Sequence, residues 1–421
     1  MTANKGSLAY LVSRYPAVSH TFILREVLGL RRLGWTVHVA SVNPPDRTPD
    51  RMTPDEAEEA RTTYGLKSHG ASGALAALLW ALMRNPKGLL RALALAWSLG
   101  RGARRLYSLA YALEALMVAR WMDQRQLGHL HAHFGTVGST VGVLVKACNG
   151  CTLSVTIHGP DEFDDVPGQH LVLKMERADH VICISQFARS QLMRLSPPHC
   201  WPKMQVCRLG VDTQHFMPQA GPRQPGPTRL LSVGRLAPAK GQLLMVQACA
   251  QLKNQGASFH LTVVGDGPDR QRLQQAVEEA RLGDCVSFTG ALNTAEVHRQ
   301  LQGADAFVLP SLAEGIPVVL MEAMASGVPC VTTPVNGIPE LVRHDVNGLL
   351  ATPGDVDALC AQLGRMVADQ ALRARLGQAA RQMVCEHYDT RRNVEGLSQL
   401  FSAMGRHRAG AEPVLALRAG T

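Results

Sequence analysis

No stretch of the 421 residues is built to cross a membrane. The longest uncharged apolar run, Ala71 to Met83, is shorter than the ~20 residues a span requires, and Arg84, Pro86 and Lys87 interrupt it. No apolar run precedes Arg14 as a secretory signal needs, so the expected location is the cytoplasm. The ten cysteines are scattered, and Cys148-x-x-Cys151 has no second pair at zinc spacing, so they read as reduced core thiols. An Asp-x-Asp metal clamp before an apolar strand is missing too. Asp164-Asp165 and Asp355-Val356-Asp357 look like turn or helix-start acids, and no metal ligand or cofactor is expected. A Gly-x-Gly-x-x-Gly after the first strand is also lacking: Ser13-Arg14-Tyr15-Pro16 stands there, which argues against an NAD-binding oxidoreductase. Finally, there is no internal repeat, no long low-complexity tract and no nucleic-acid-binding motif.

What is present describes a globular chain, 46% hydrophobic and 18% charged. Its length suits two domains of roughly 200 residues, each with a full core. A net charge of +9, carried largely by Arg, favours anionic partners such as nucleoside diphosphates or lipid headgroups over nucleic acid, for which no motif exists.

Strand-like and helical runs alternate, the pattern of a doubly wound parallel sheet. Ser7 to Val12 reads as a strand, Thr21 to Leu33 as a helix stopped by Gly34, and Trp35 to Val42 as the next strand. Further strands are expected at His129 to Phe134, Leu153 to Ile157, His180 to Ile184 and Met204 to Arg208. Residues 211–228 turn to Pro, Gly and Gln, a linker composition. The chain therefore divides into an N-terminal Rossmann-like domain (1–210), a linker (211–228), a second Rossmann-like domain (229–385), a further helix (386–404) and a frayed tail (405–421).

One segment stands apart. Residues 71–122 are rich in Leu and Ala with Trp80, Trp97 and Trp121, and eight basic but two acidic residues fall between Arg84 and Arg125. Helices here either cover the N-terminal sheet or carry cations beside apolar faces, as helices on an anionic membrane surface do; the two roles are compatible.

The most informative stretch runs from Pro310 to Pro329. A short apolar strand, Ala306 to Leu309, ends in a turn, and Pro317 is expected at the first helical position. Amides at Gly315, Ile316, Val318 and Val319, with the positive end of the helix dipole, would face an anion. Glu314 precedes the helix and Glu322 lies inside it, seven residues between them, so the two carboxylates can grip hydroxyls on different parts of one ligand. Arg235 follows a strand end and Lys240 is five residues on, beside Gly241, where both cations can converge on a phosphate.

Glu-x7-Glu followed by Ala323-Met324-Ala325-x-Gly327-x-Pro329 resembles the retaining glycosyltransferases of family 4. So do Ser232-Val233-Gly234-Arg235-Leu236 with Lys240-Gly241, Val263-Val264-Gly265-Asp266-Gly267-Pro268, and Thr333 to Val342. Tyr15 to Glu26 resembles the bacterial exopolysaccharide branch, including colanic-acid-type enzymes. The resemblance implies a GT-B fold, an α/β architecture of two Rossmann-like doubly wound domains facing a central cleft. It implies that Glu322 binds the nucleotide ribose, Glu314 the donor-sugar hydroxyls, and Arg235 and Lys240 the diphosphate. Gly265 and Leu292, the latter in Gly290-Ala291-Leu292, are expected to line the phosphate and base regions. Family members often carry Gly-Phe-Gly after the first Glu, where this chain has Gly315-Ile316-Pro317, and Pro removes one amide.

In the N-terminal domain His158 follows a strand and matches the histidine that the family places near the donor sugar. It is expected to orient and stabilise, with the leaving phosphate taking the acceptor proton. His131 and His133 point to one side of a strand and are expected, with Ser19 and His20, on the acceptor side. Arg25-Glu26 reads as structural. The expected activity is metal-independent, retaining transfer of a hexose from a nucleoside diphosphate sugar, UDP-sugar before GDP-mannose, to a growing saccharide held by a polyprenyl diphosphate at the inner membrane face. The alternatives are a non-catalytic nucleotide-sugar-binding subunit and a GT-B epimerase; a phosphorylase would need a pyridoxal-phosphate lysine site, which is not found.

Overall fold

The computed structural model describes residues 5–17, 20–100, 104–219 and 226–406. Ser19 and residues 407–421 of the expected tail lie outside them. Seven strands form the first sheet: β1 (Gly6–Arg14), β2 (Trp35–Asn43), β3 (Tyr64–Gly65), β4 (His129–His133), β5 (Thr152–Ile157), β6 (His180–Cys183) and β7 (Met204–Val206), in the order β3-β2-β1-β4-β5-β6-β7. The second contains β8 (Thr228–Val233), β9 (Phe259–Val264), β10 (Val286–Gly290), β11 (Ala306–Leu309), β12 (Cys330–Thr332) and β13 (Leu349–Leu350), ordered β10-β9-β8-β11-β12-β13. Every strand pair is parallel. Strands buried on both faces explain the near-continuous apolar runs such as Ala306-Phe307-Val308-Leu309. In each sheet the strand order reverses at one point, β1/β4 and β8/β11, and in open parallel sheets ligands bind outside the carboxyl ends of the strands there.

The last helix begins later than expected. The helix Gln370–His387 ends at Tyr388, and a new one, Thr390–Arg406, follows. The break belongs to a crossing point: Val211 N–H donates to Tyr388 O at 2.8 Å, Thr390 N–H to Val211 O at 3.0 Å, and Thr213 Oγ1 to the Asp389 carboxylate. From there the helix returns to the N-terminal sheet, packing Val394, Leu397, Phe401 and Met404 against Ile23, Leu24, Val27 and Leu30 of the helix Thr21–Arg32. Each such side chain contributes about 1.5–3 kcal/mol when fully buried, which suffices to hold the helix across the domain border.

Residues 71–122 form three helices, Gly70–Arg84, Pro86–Leu99 and Arg104–Gln124. They do cover the sheet: the first two turn mainly small side chains inward, Ala77, Ala81, Ala92 and Ala96 with Leu89, while the third buries Ala112, Ala115, Leu116, Met117, Val118, Trp121 and Met122. Large apolar residues face outward, with Met83 76%, Leu106 73%, Tyr107 70% and Leu90 67% exposed. On the first two helices this reverses the usual arrangement of an amphipathic helix on a water-soluble core. Among the described residues no helix is long and apolar enough to cross a membrane.

Candidate functional site

The β8/β11 switch point gathers the expected donor residues. Arg235 emerges exposed from the end of β8, and its carbonyl accepts from Gln242 Nε2 at 2.9 Å, which pins the turn to the helix Gln242–Asn254. Gly265 follows β9 at φ +140°, and a Cβ there would strike the carbonyl of Gly234, so only glycine lets the two strand exits touch. Gly265 N–H in turn donates to Gly290 O at 2.9 Å, and Leu292 stands half-buried two residues beyond. Lys240 Nζ lies 2.5 Å from Glu314 Oε1, which also accepts from Ser311 Oγ at 2.7 Å. Two expected ligand residues are thus paired with each other.

Pro317 is the N-cap of the helix Val318–Ala325 and not its first residue, one position earlier than expected. Leu320 and Met321 N–H both turn back to Pro317 O, leaving the Val318 and Val319 amides at the open end of the helix. Glu322 lies inside that helix, buried, and its partner comes from the opposite domain: Arg25 Nη2 stands 3.4 Å from Glu322 Oε1. Burial pushes the Glu322 carboxyl up and the Arg25 guanidinium pulls it back down. Arg25, read from sequence as structural, therefore reaches the expected ribose carboxylate. It also lines an inter-domain groove of about 610 Å³ together with Arg32, Gln214, His215, Thr294 and Arg391.

The opposing wall is the carboxyl end of β4 and β5. His158 sits one residue past β5, and its carbonyl abuts Gly315 so closely that any Cβ at Gly315 would collide with it. The expected donor loop and the expected catalytic histidine are brought together by this glycine contact. A second tie comes from Glu340, whose carboxylate accepts from Gln186 N–H at 3.0 Å and Phe187 N–H at 2.8 Å, capping a helix of the other domain. The turn after His158 is held by buried Glu162, which accepts from the N–H groups of His158, Gly159 and Gly135. Burial pushes Glu162 up to about 7 against the pull of these donors, and burial lowers neighbouring Lys174 to about 7. Glu162 was not singled out from sequence: it folds back on the Gly159 amide as the Glu of a capping box does, but Gly159 has no side chain to complete the Ser/Thr-x-x-Glu pattern that would have flagged it.

The histidines of β4 are not an open acceptor wall. His131 and His133 are fully buried beneath Tyr10, Phe22 and Phe401. His131 bonds Ser154 Oγ at 2.7 Å and Thr156 Oγ1 at 3.1 Å, so its role is in packing the sheet face. Both point the same way, as strand parity requires, but the last helix covers that face. Glu26, His131 and His133 bring one potential ligand atom each within 4.8 Å of one another, a composition that suits a metal. Each of these ring nitrogens already has a hydrogen-bond partner. His20, half-buried, lies against Phe134 with ring centroids 4.8 Å apart, near His158 but with Nδ1 unpartnered.

Two family models match in sequence order, one described as Glycosyltransferase Family 4 over residues 19–215 and one as Glycosyl transferases group 1 over residues 214–383. The amylovoran biosynthesis glycosyltransferase AmsK of Erwinia amylovora is 32% identical over 383 residues, covering 86% of this chain and 91% of AmsK. The putative colanic acid biosynthesis glycosyltransferase WcaL of Escherichia coli K12 is 36% identical over 244 residues, 55% of this chain and 59% of WcaL. Among solved structures, Anabaena HepE in complex with UDP and glucose superposes with a TM-score of 0.71 at 18% identity, covering 94% of this chain and 99% of HepE, a likeness of fold. With the GT-B architecture and both halves matched in order, the chain belongs to the family 4 glycosyltransferases.

Proposed function

We propose that this glycosyltransferase moves a hexose from a nucleoside diphosphate sugar, a UDP-sugar before GDP-mannose, to a lipid-linked saccharide in exopolysaccharide assembly, with retention at the anomeric carbon and without a metal ion. The observation that carries the reading is the meeting of Lys240, Glu314 and the Gly315 loop with His158 across the cleft. Charge grows on the leaving diphosphate as the glycosidic bond breaks. Fixed cations at Arg235 and Lys240, with the amides of Val318 and Val319, are the groups that would meet it. Glu322 grips the ribose and Glu314 the sugar hydroxyls. With no carboxylate assigned as a nucleophile, the acceptor attacks on the face that the diphosphate leaves, and a phosphate oxygen takes its proton. His158 orients the donor. The relatives named for amylovoran and colanic acid biosynthesis support a polysaccharide acceptor.

A lipid-linked acceptor at the inner face of the membrane agrees with the outward leucines of the three added helices. Leu75, Leu79, Leu82, Met83, Leu90, Trp97, Leu106 and Tyr107 are exposed, and Arg84, Lys87 and Arg105 are exposed beside them. Arg105 stacks over Trp97 at 4.6 Å, an apolar plate with a cationic rim. Such a face enters an anionic lipid surface, with the chain peripheral on the cytoplasmic side. Each rim cation contributes about 1 kcal/mol there, so neutralising Arg84, Lys87 and Arg105 together should weaken vesicle binding about 100-fold. Flotation with phosphatidylglycerol vesicles checks this: the wild type should float at low salt and the triple variant should not. A wild type that stays at the bottom removes the membrane role. The transfer itself is tested with radiolabelled donors and membrane extracts as acceptor source. Label should enter the organic phase, and its appearance only in water-soluble product would contradict the lipid-linked acceptor.

A further inference from the structure

Three side chains from separate elements form a hydrogen-bonded chain that the proposed reaction leaves unexplained. Glu26, on the helix Thr21–Arg32, has Oε1 3.1 Å from His133 Nε2 at the end of β4. His133 Nδ1 is 3.0 Å from His158 Nε2. Tyr10 OH donates to the same Glu26 oxygen at 2.6 Å. His133 is fully buried, His158 is 8% exposed, and His158 Nδ1 is buried with no partner.

The chemistry of the donors fixes the polarity. A carboxylate can only accept, so His133 Nε2 carries a proton and donates to Glu26. In a neutral imidazole the other nitrogen then accepts, so His158 Nε2–H donates a hydrogen bond to His133 Nδ1. His158 is left with its lone pair on Nδ1. A doubly protonated His133 would invert the last link and move the His158 proton to Nδ1, an outcome that the spectrum described below distinguishes. Phe22 and Phe134, with ring centroids 5.0 and 4.3 Å from that of His158, hold the ring in place. Burial also keeps the His158 pKa well below its ordinary value.

We propose that Glu26 and His133 are positioning residues that hold His158 as a neutral imidazole, protonated on Nε2 and presenting Nδ1 as an acceptor for a carbohydrate hydroxyl. The catalytic consequence rests on the assignment of His158 to the donor cleft, whereas the tautomer does not. A buried acceptor without a partner is costly unless a ligand supplies the missing donor, and a hydroxyl does so without changing the charge of the site.

The test is the 15N spectrum of the full-length protein labelled at histidine, with His158 assigned by comparison with His158→Gln. The wild type should show His158 with a protonated Nε2 and an unprotonated Nδ1. Glu26→Ala and His133→Leu should release it into a mixture of tautomers. His133→Asn, whose carbonyl can stand where Nδ1 stood, should restore the wild-type form. In turnover, Glu26→Ala and His133→Leu should lower kcat by roughly 10- to 100-fold, the range lost when a group that orients a histidine is removed, with UDP affinity unchanged. A wild-type His158 protonated on Nδ1 would overturn the proposal even if no variant folds, and so would a tautomer indifferent to Glu26 and His133. The expected tautomer in a protein that transfers no sugar would leave the relay standing and count against the functional reading instead.

Discussion

Lys240→Ala is expected to lower kcat by about 100- to 1,000-fold, the usual cost of deleting one preorganised group aimed at developing negative charge. The ammonium is held 2.5 Å from Glu314 and is partly exposed, so it is positioned before the donor arrives yet free to move onto a phosphate. Lys240→Ala also leaves the buried Glu314 carboxylate with only the Ser311 hydroxyl as partner, so a lower melting temperature is expected beside the loss of rate. Lys240→Arg should recover only part of the rate, since a planar fork replaces a point charge in a site shaped by Ser311 and Glu314. Initial rates of nucleoside diphosphate release, with melting temperature as a control, check this. A loss below about threefold would remove Lys240 from the reaction.

The second large effect separates the two glutamates. Glu322→Ala should weaken binding of the free nucleoside diphosphate by about 10- to 100-fold, as expected for losing a charge-assisted hydrogen bond to the ribose. Glu314→Ala should leave that binding nearly intact and lower turnover with the sugar donor. Arg25 complicates the first variant in a predictable way. Its guanidinium faces Glu322 across the cleft and has Nη1 buried without a partner, so Glu322→Ala also strands a cation and should melt earlier than Arg25→Ala,Glu322→Ala. Calorimetric titration with UDP and GDP measures the binding half of this prediction. Equal, negligible effects of Glu314→Ala and Glu322→Ala would remove both from the site.

The donor side was legible from sequence because its chemistry is local. Arg235 and Lys240 lie five residues apart on one turn, and Glu314 and Glu322 flank one helix start, so spacing places each pair; that Lys240 meets Glu314 across 74 positions was implied only by the family resemblance. The strand and helix alternation was legible for the same reason, as each unit carries its own apolar period and stop signal. What stayed hidden depends on partners far apart in the chain. Arg25 meets Glu322 across 297 positions, and Glu340 caps a helix beginning 154 positions earlier. The parity of β4 predicted that His131 and His133 share a face, but nothing in His129 to His133 tells that the helix Thr390–Arg406 covers it. Residues 71–122 could be read as sheet-covering or surface helices; only packing reveals that the first two helices turn mainly alanines inward while Leu75, Leu79, Leu82 and Leu90 face outward. Pro317 was displaced by one position because a proline suits both the N-cap's extended backbone and the first turn.

The central claim is that the cleft activates a nucleoside diphosphate sugar with its own cations. The most direct measurement is nucleoside diphosphate release by the purified wild-type protein across a panel of UDP-, GDP- and ADP-sugars in EDTA. The account predicts release from one donor, a UDP-sugar before GDP-mannose, at a rate that EDTA does not change. Release that stops in EDTA and returns with a divalent cation would contradict it, and so would a protein that neither releases nor binds any of these nucleotides.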